Sequence, residues 1–180
     1  MDIKLVSLKS EDLELVRGWR NSEEVSKYMY TSNVISEQDQ INWFEKIKND
    51  ETCKYWIIEY DEKKIGLASI YSISGLYNSC TWAFYLGDTS IRGAGIGSKV
   101  EYNVLQYVFE TLKLNKLNCT VFPTNDSVIK MHEGFGFRRE AFFRQHVLKD
   151  GVHLDVVGLA LLKSEWALIR EFMFNKIYNR

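Results

Sequence analysis

Arg92-Gly93-Ala94-Gly95-Ile96-Gly97 is the stretch of this chain best suited to hold an anion. Glycine allows positive φ and lets the backbone come close to a ligand. The stretch follows a strand-like run, Cys80 to Leu86. It opens a segment in which Ile96, Val100, Val104 and Val108 recur at helical spacing. The start of a helix offers unpaired N–H groups and the positive end of the macrodipole. A pyrophosphate fits there, and Arg92 adds a fixed positive charge. A tight strand–helix turn with no ligand would use the same glycines.

The spacing narrows the choice of ligand. A P-loop requires G-x-x-x-x-G-K-[ST]. Here Gly93 and Gly97 are one residue too close, and Ser98-Lys99 runs in the reverse order. A dinucleotide fingerprint requires G-x-G-x-x-G early in a βαβ unit, whereas this loop lies halfway along the chain. A second segment follows the strand-like run Leu117 to Phe122. It reads Asn125-Asp126-Ser127-Val128-Ile129-Lys130-Met131-His132-Glu133-Gly134-Phe135-Gly136-Phe137.

Arg92-x-x-Gly95-x-Gly97 resembles the R/Q-x-x-G-x-G/A loop of the GCN5-related N-acetyltransferases. The second segment is similar to that superfamily's N-x-x-A-I-x-x-Y-x-x-x-G-F at Asn125, Ile129 and Gly136-Phe137, with Val128 in the alanine position. The resemblance implies acetyl-coenzyme A as co-substrate and no metal. It implies cofactor contacts from Tyr85, Leu86, Arg92, Gly93, Ala94, Gly95, Ile96, Gly97, Ser98, Asn125 and Ser127. It gives Tyr85 a catalytic part, because backbone groups at Tyr85 and Leu86 would polarise the acetyl carbonyl, an oxyanion-type role. The superfamily tyrosine, which protonates the departing thiolate, is replaced by His132, so His132 is the expected acid. An imidazolium ordinarily titrates at about 6.5 and a thiol at about 8.5. Transfer to the thiolate would be downhill, but only part of an ordinary histidine is charged at pH 7.

The N-terminal third carries Trp19-Arg20-Asn21, Tyr28-Met29-Tyr30 and Trp43-Phe44. With Ser69 and Tyr85 these resemble the family that acetylates UDP-4-amino-4,6-dideoxy-N-acetyl-β-L-altrosamine on the way to pseudaminic acid, which decorates flagellin. That resemblance implies substrate contacts from Arg20, Met29, Tyr30 and Ser69. Gln40 stands where that family is expected to carry histidine. Arg20 suits a bidentate contact with a diphosphate. It could equally pair with Glu23 or Glu24, and Trp19, Trp43 and Phe44 could simply be core. Relatives that acetylate polyamines or ribosomal-protein N-termini share the opening and the Asp150-Gly151 hairpin. A module that binds acetyl-coenzyme A without turnover is a further alternative.

The elements that must position these residues follow from pattern. Strands are expected at Ile3–Leu8, Tyr55–Tyr60, Ile65–Ile73, Cys80–Leu86, Leu117–Phe122, Arg138–Leu148 and His153–Leu162. Ser10 is expected to cap a first helix. Ser36 to Asp39 forms a capping box for a second helix that buries Ile41, Phe44 and Ile47. Helices also follow the glycine loop, span Asn125–Glu133, and close the chain with Ile169, Phe172 and Met173 inward. The expected class is an α/β fold with a mixed, largely antiparallel central sheet flanked by helices, in one domain over residues 1–180. The net charge of −1 argues against a general nucleic-acid or membrane-surface binder. No run of 18 apolar residues exists to span a membrane. Cys53, Cys80 and Cys119 are far apart and read as free thiols in a reducing cytoplasm. Aromatic residues make up 14% of the chain, which permits a homodimer without requiring one.

Overall fold

The computed structural model describes residues 3–91 and 95–178. Its strands are β1 (Ile3–Ser7), β2 (Lys54–Tyr60), β3 (Lys63–Ser74), β4 (Ser79–Leu86), β5 (Lys116–Val121), β6 (Arg138–Lys149) and β7 (Val152–Leu162). They form one sheet in the order β1-β2-β3-β4-β5-β7-β6. Only β4 and β5 run parallel; every other neighbouring pair is antiparallel. The helices are α1 (Leu13–Asn21), the single turn α2 (Glu23–Ser26), α3 (Glu37–Ile47), α4 (Ile96–Gln106), α5 (Asp126–Gly134) and α6 (Lys163–Tyr178). The mixed, largely antiparallel architecture is the one expected, with α2 as an unforeseen addition.

Local chemistry explains the tight connections. Asp61 and Glu62 both take positive φ between β2 and β3, as do Asp150 and Gly151 between β6 and β7. Two consecutive positive-φ residues give the turn whose twist matches the flanking strands. Alternation then sorts the sheet's side chains. Trp56, Ile58, Ile65, Ala68 and Ile70 join the large core under α4, α5 and α6. Ile57 and Leu67 point the other way and pack against Val16 of α1. Tyr85 lies on the α1 side and its neighbours Phe84 and Leu86 on the α4 side.

Three sequence expectations need correction. Ser10 does not cap the first helix: Ser10–Asp12 is a short 3-10 turn entered from Lys9, Asp12 stands at the N-cap of α1, and the buried Asp12 carboxylate accepts the Lys9 N–H at 2.9 Å. On α3 the Ser36–Asp39 capping box forms, but the buried residue is Gln40 and Ile41 is exposed. On α6 Trp166 and Met173 are buried while Phe172 is exposed. The inward stripe runs Trp166, Ile169, Met173, Ile177 at spacings of three and four, and Phe172 falls outside it.

The feature that makes a site is a split in the sheet. Pairing of β4 with β5 covers Ser79–Thr81 against Lys116–Asn118 and then stops, although both strands continue. Asn118 seals the fork: its Nδ2 donates to the Cys80 carbonyl at 2.9 Å, and Thr81 Oγ1 donates to its Oδ1 at 2.9 Å. Beyond this point the β4 backbone has no ladder partner toward β5. An unpaired strand edge is a template for further pairing, and a ligand carrying amides would satisfy its free groups.

Candidate active site

Three hollows meet at the fork. The first, about 370 Å³, lies between β4 and α5. It brings together Tyr85, Leu86, Gly97, Asn125 and Ser127, all expected as cofactor contacts. Gly95 caps α4 at φ +70 with its residue exposed, Ile96 is buried in the core, and Ser98 is half-buried in the first turn. These three border the hollow's Gly97 without lining it. Arg92, Gly93 and Ala94 lie outside the described residues. Gly97 has a packing reason: a Cβ there would meet the Met131 sulfur at 3.0 Å. The absence of a side chain lets α4 start against α5, with its first N–H groups beside the hollow. A split strand, a glycine-led helix start and an apolar channel between them together fit the pantetheine and pyrophosphate of coenzyme A.

The second hollow, about 310 Å³, reaches His132 between Trp82, Cys119 and Asn125. Asn125 caps α5, its carbonyl accepting the N–H groups of Val128 at 3.1 Å and Ile129 at 3.2 Å. Gly136, at φ +84, then stops the helix. Phe137 N–H donates back to the His132 carbonyl at 3.1 Å. The imidazole is held between the Trp82 and Phe137 rings, each with its centroid 5.2 Å away. Its Nδ1 is 2.8 Å from Oε1 of Glu101 on α4. His132 is 3% exposed and Glu101 fully buried. Burial by itself would push His132 down. The Glu101 charge, with hydrogen bonds to Cys119 and Glu101, outweighs it and raises His132 to about 10. The expectation of a histidine only partly charged at pH 7 is therefore corrected, and the cause is a carboxyl partner.

The third hollow, about 410 Å³, opens on the α1 face of the sheet. Arg20, Asp39, Gln40, Ser69 and Tyr85 supply polar groups to it, and Trp43, Tyr55 and Leu67 much of its apolar wall. Trp43 packs edge-on to Tyr55 at 5.0 Å. Ser69 Oγ donates to the Ala83 carbonyl at 3.4 Å. Gln40 Nε2 and Tyr85 Oη are buried without a hydrogen-bond partner. Burial pushes the Tyr85 phenol well above its ordinary range, and Arg20 draws it part of the way back. Tyr85 thus stays protonated at neutral pH and serves as a donor. Burial lowers Arg20, and among the described residues no carboxylate pairs with it; Glu23 and Glu24 do not. A partly desolvated guanidinium without a counter-charge favours an anion.

Met29 and Phe84 line all three hollows, so the hollows adjoin at these two side chains. Tyr30 sits on the His132 side, its Oη donating to Thr120 Oγ1 at 2.6 Å, and does not line the Gln40 hollow. Sequence reasoning missed Glu101. Its one signal was position: α4 also buries Ile96, Val100, Tyr102, Val104 and Leu105, leaving Glu101 no solvent face. Among the described residues no cluster of three or more His, Cys, Asp or Glu side chains could hold a metal. No helix there is long and apolar enough to cross a membrane.

Known proteins match this arrangement. The family described as Acetyltransferase (GNAT) domain matches residues 2–138. The chain is 28% identical over 126 residues to Acetyltransferase PseH of Campylobacter jejuni, spanning 70% of this chain and 76% of that protein. It is 20% identical over 164 residues to spermidine N(1)-acetyltransferase of Escherichia coli, spanning 91% and 88%. The crystal structure of spermidine N-acetyltransferase from Vibrio cholerae in complex with CoA and spermine superposes with a TM-score of 0.87 at 20% identity, covering 92% of this chain and 98% of that one.

Proposed function

The chain belongs to the GNAT acetyltransferase family, and on that premise we propose that it moves the acetyl group of acetyl-coenzyme A to the 4-amino group of a nucleotide-linked 4-amino-4,6-dideoxy sugar. The carrying observation is the Arg20 hollow. It offers a guanidinium with no carboxylate partner and two buried donors without acceptors, Gln40 Nε2 and Tyr85 Oη. A nucleoside diphosphate, with the acetamido carbonyl and remaining hydroxyl of the sugar, supplies the acceptors these groups lack. A polyamine requires the reverse. The one carboxylate lining this hollow, Asp39, is engaged with Ser36 in the α3 cap, and Arg20 repels a polycation. The resemblance of Trp19-Arg20-Asn21, Tyr28-Met29-Tyr30, Ser69 and Tyr85 to the family on the pseudaminic acid route supports this acceptor and a role in flagellin glycosylation, and the 28% identity to PseH is consistent with it. The likeness to spermidine enzymes, at 20% identity, speaks for the fold alone.

When bound, acetyl-coenzyme A supplies a thioester carbon open to attack. In this reading the backbone at Tyr85 and Leu86 polarises its carbonyl oxygen. Arg20, Gln40 and Ser69 hold the acceptor so that its amine reaches the Met29–Phe84 junction. The amine attacks directly in a ternary complex. A ring amine on an electron-poor sugar is less basic than lysine, so more of it is free at pH 7 and no dedicated base is needed. His132 protonates the departing sulfur. The reaction belongs in the cytoplasm, and a homodimer would be compatible with it.

Calorimetric titration of the protein saturated with coenzyme A tests the acceptor. UDP is expected to bind, and spermidine at the same concentration is expected not to. Saturable binding of spermidine with no heat from UDP would overturn the assignment.

A further inference from the structure

We propose that Glu101 is the positioning residue that arms His132 as the acid of acetyl transfer, its carboxyl sharing one proton with Nδ1 so that Nε2 always carries the proton that sulfur receives. The inference rests on the acid role given to His132 above, not on the identity of the acceptor. The geometry is specific. Glu101 reaches from α4 across to α5, with Oε1 2.8 Å from Nδ1. Its Oε2 is buried with no partner, so the carboxyl serves His132 alone. The Trp82 and Phe137 rings fix the imidazole plane, and Cys119 of β5 is the other titratable group that bears on it.

Proton counting gives the consequence. Burial raises Glu101, and the Glu101 partner raises His132. In this proposal the pair, as a unit, holds two protons at neutral pH. Either the pair is imidazolium with carboxylate, or neutral imidazole with carboxylic acid. In both arrangements one proton lies between Nδ1 and Oε1, and the other is on Nε2. As the N–C bond forms and the C–S bond breaks, the Nε2 proton passes to sulfur. The pair is left as neutral imidazole with carboxylate. The acceptor nitrogen releases its surplus proton to water, and water returns one to Nε2. A tyrosine phenol ordinarily titrates at about 10. The raised histidine therefore reproduces the proton affinity of the tyrosine that the motif otherwise carries.

The test is the pH dependence of kcat for Glu101→Gln, Glu101→Asp and His132→Tyr, with coenzyme A affinity measured alongside by calorimetry. In the parent protein kcat is sustained as pH rises through 6.5 and beyond. In Glu101→Gln the alkaline fall moves down by about three units, toward the ordinary histidine value. A group titrating near 6.5 is protonated to roughly one part in thirty at pH 8, so kcat there falls roughly 30-fold. Coenzyme A affinity is unchanged, and Glu101→Asp, which keeps a carboxyl, recovers part of the loss. In a His132→Tyr background, where the phenol holds its own proton, adding Glu101→Gln costs nothing further. An unchanged pH profile in Glu101→Gln overturns the inference, as does an equal loss in the tyrosine background, which would mark Glu101 as structural. If removing His132 itself leaves kcat intact, the acid reading fails first. If it abolishes turnover while Glu101→Gln is silent, this inference fails alone.

Discussion

Replacing His132 with glutamine lowers kcat by about 10²–10⁴-fold, the usual contribution of a positioned general acid. KM for acetyl-coenzyme A is expected to change little, because in the proposed mechanism the ring acts at the sulfur end and not at the pyrophosphate. Glutamine is the informative substitution. It keeps a hydrogen-bonding group beside Glu101, so the fold survives. Alanine costs activity and stability together, since stripping one partner from a buried pair costs up to about 3–5 kcal/mol. Steady-state kinetics separate the two terms, and thermal unfolding separates the two variants. Full kcat in His132→Gln at saturating substrates would remove the acid role.

Arg20→Ala raises KM for the acceptor roughly 10–150-fold, the equivalent of losing a hydrogen bond to a charged group at about 1.5–3 kcal/mol. The effect falls on the acceptor and leaves KM for acetyl-coenzyme A nearly untouched, because Arg20 lines the Gln40 and His132 hollows and not the one beside Gly97. Arg20→Lys recovers only part, since a point charge cannot reproduce the bidentate fork. Initial-rate measurements with each substrate varied in turn check this. A rise confined to KM for acetyl-coenzyme A would move Arg20 to the cofactor side. A fall in KM for spermidine in Arg20→Ala, with the sugar unaffected, would speak for a polyamine acceptor.

Much of the fold was legible because its signals are local. Asp150-Gly151 announced a hairpin, apolar runs on either side of the charged stretch Asp61-Glu62-Lys63-Lys64 marked β2 and β3, and glycines flagged the α4 start. Residues of the two motifs, far apart in sequence, come together: Gly97, Asn125 and Ser127 line one hollow. What stayed hidden depends on partners distant in sequence. Glu101 and His132 are 31 positions apart, and a lone glutamate on a helix reads as a solvated charge until both helices are seen to pack. Gln40 stands out in the sequence only as the position where the resembled family is expected to carry histidine; its burial, and an amide without partners, follow from the docking of α3 over the third hollow. Phe172 and Ile41 were misplaced by one position of helical phase, which composition cannot fix. The fork between β4 and β5 has no signature beyond Asn118, whose role as a seal appears only once the strands are aligned.

The most direct test of the acceptor assignment is a competition. The protein is given acetyl-coenzyme A with UDP-4-amino-4,6-dideoxy sugars, spermidine and short amino-terminal peptides in one mixture, and mass spectrometry identifies the species that gains an acetyl group. Acetylation of the nucleotide sugar, with the amine and peptides untouched, is the predicted result. Acetylation of spermidine or a peptide, with the sugar unchanged, would contradict it while leaving the family and the fold in place.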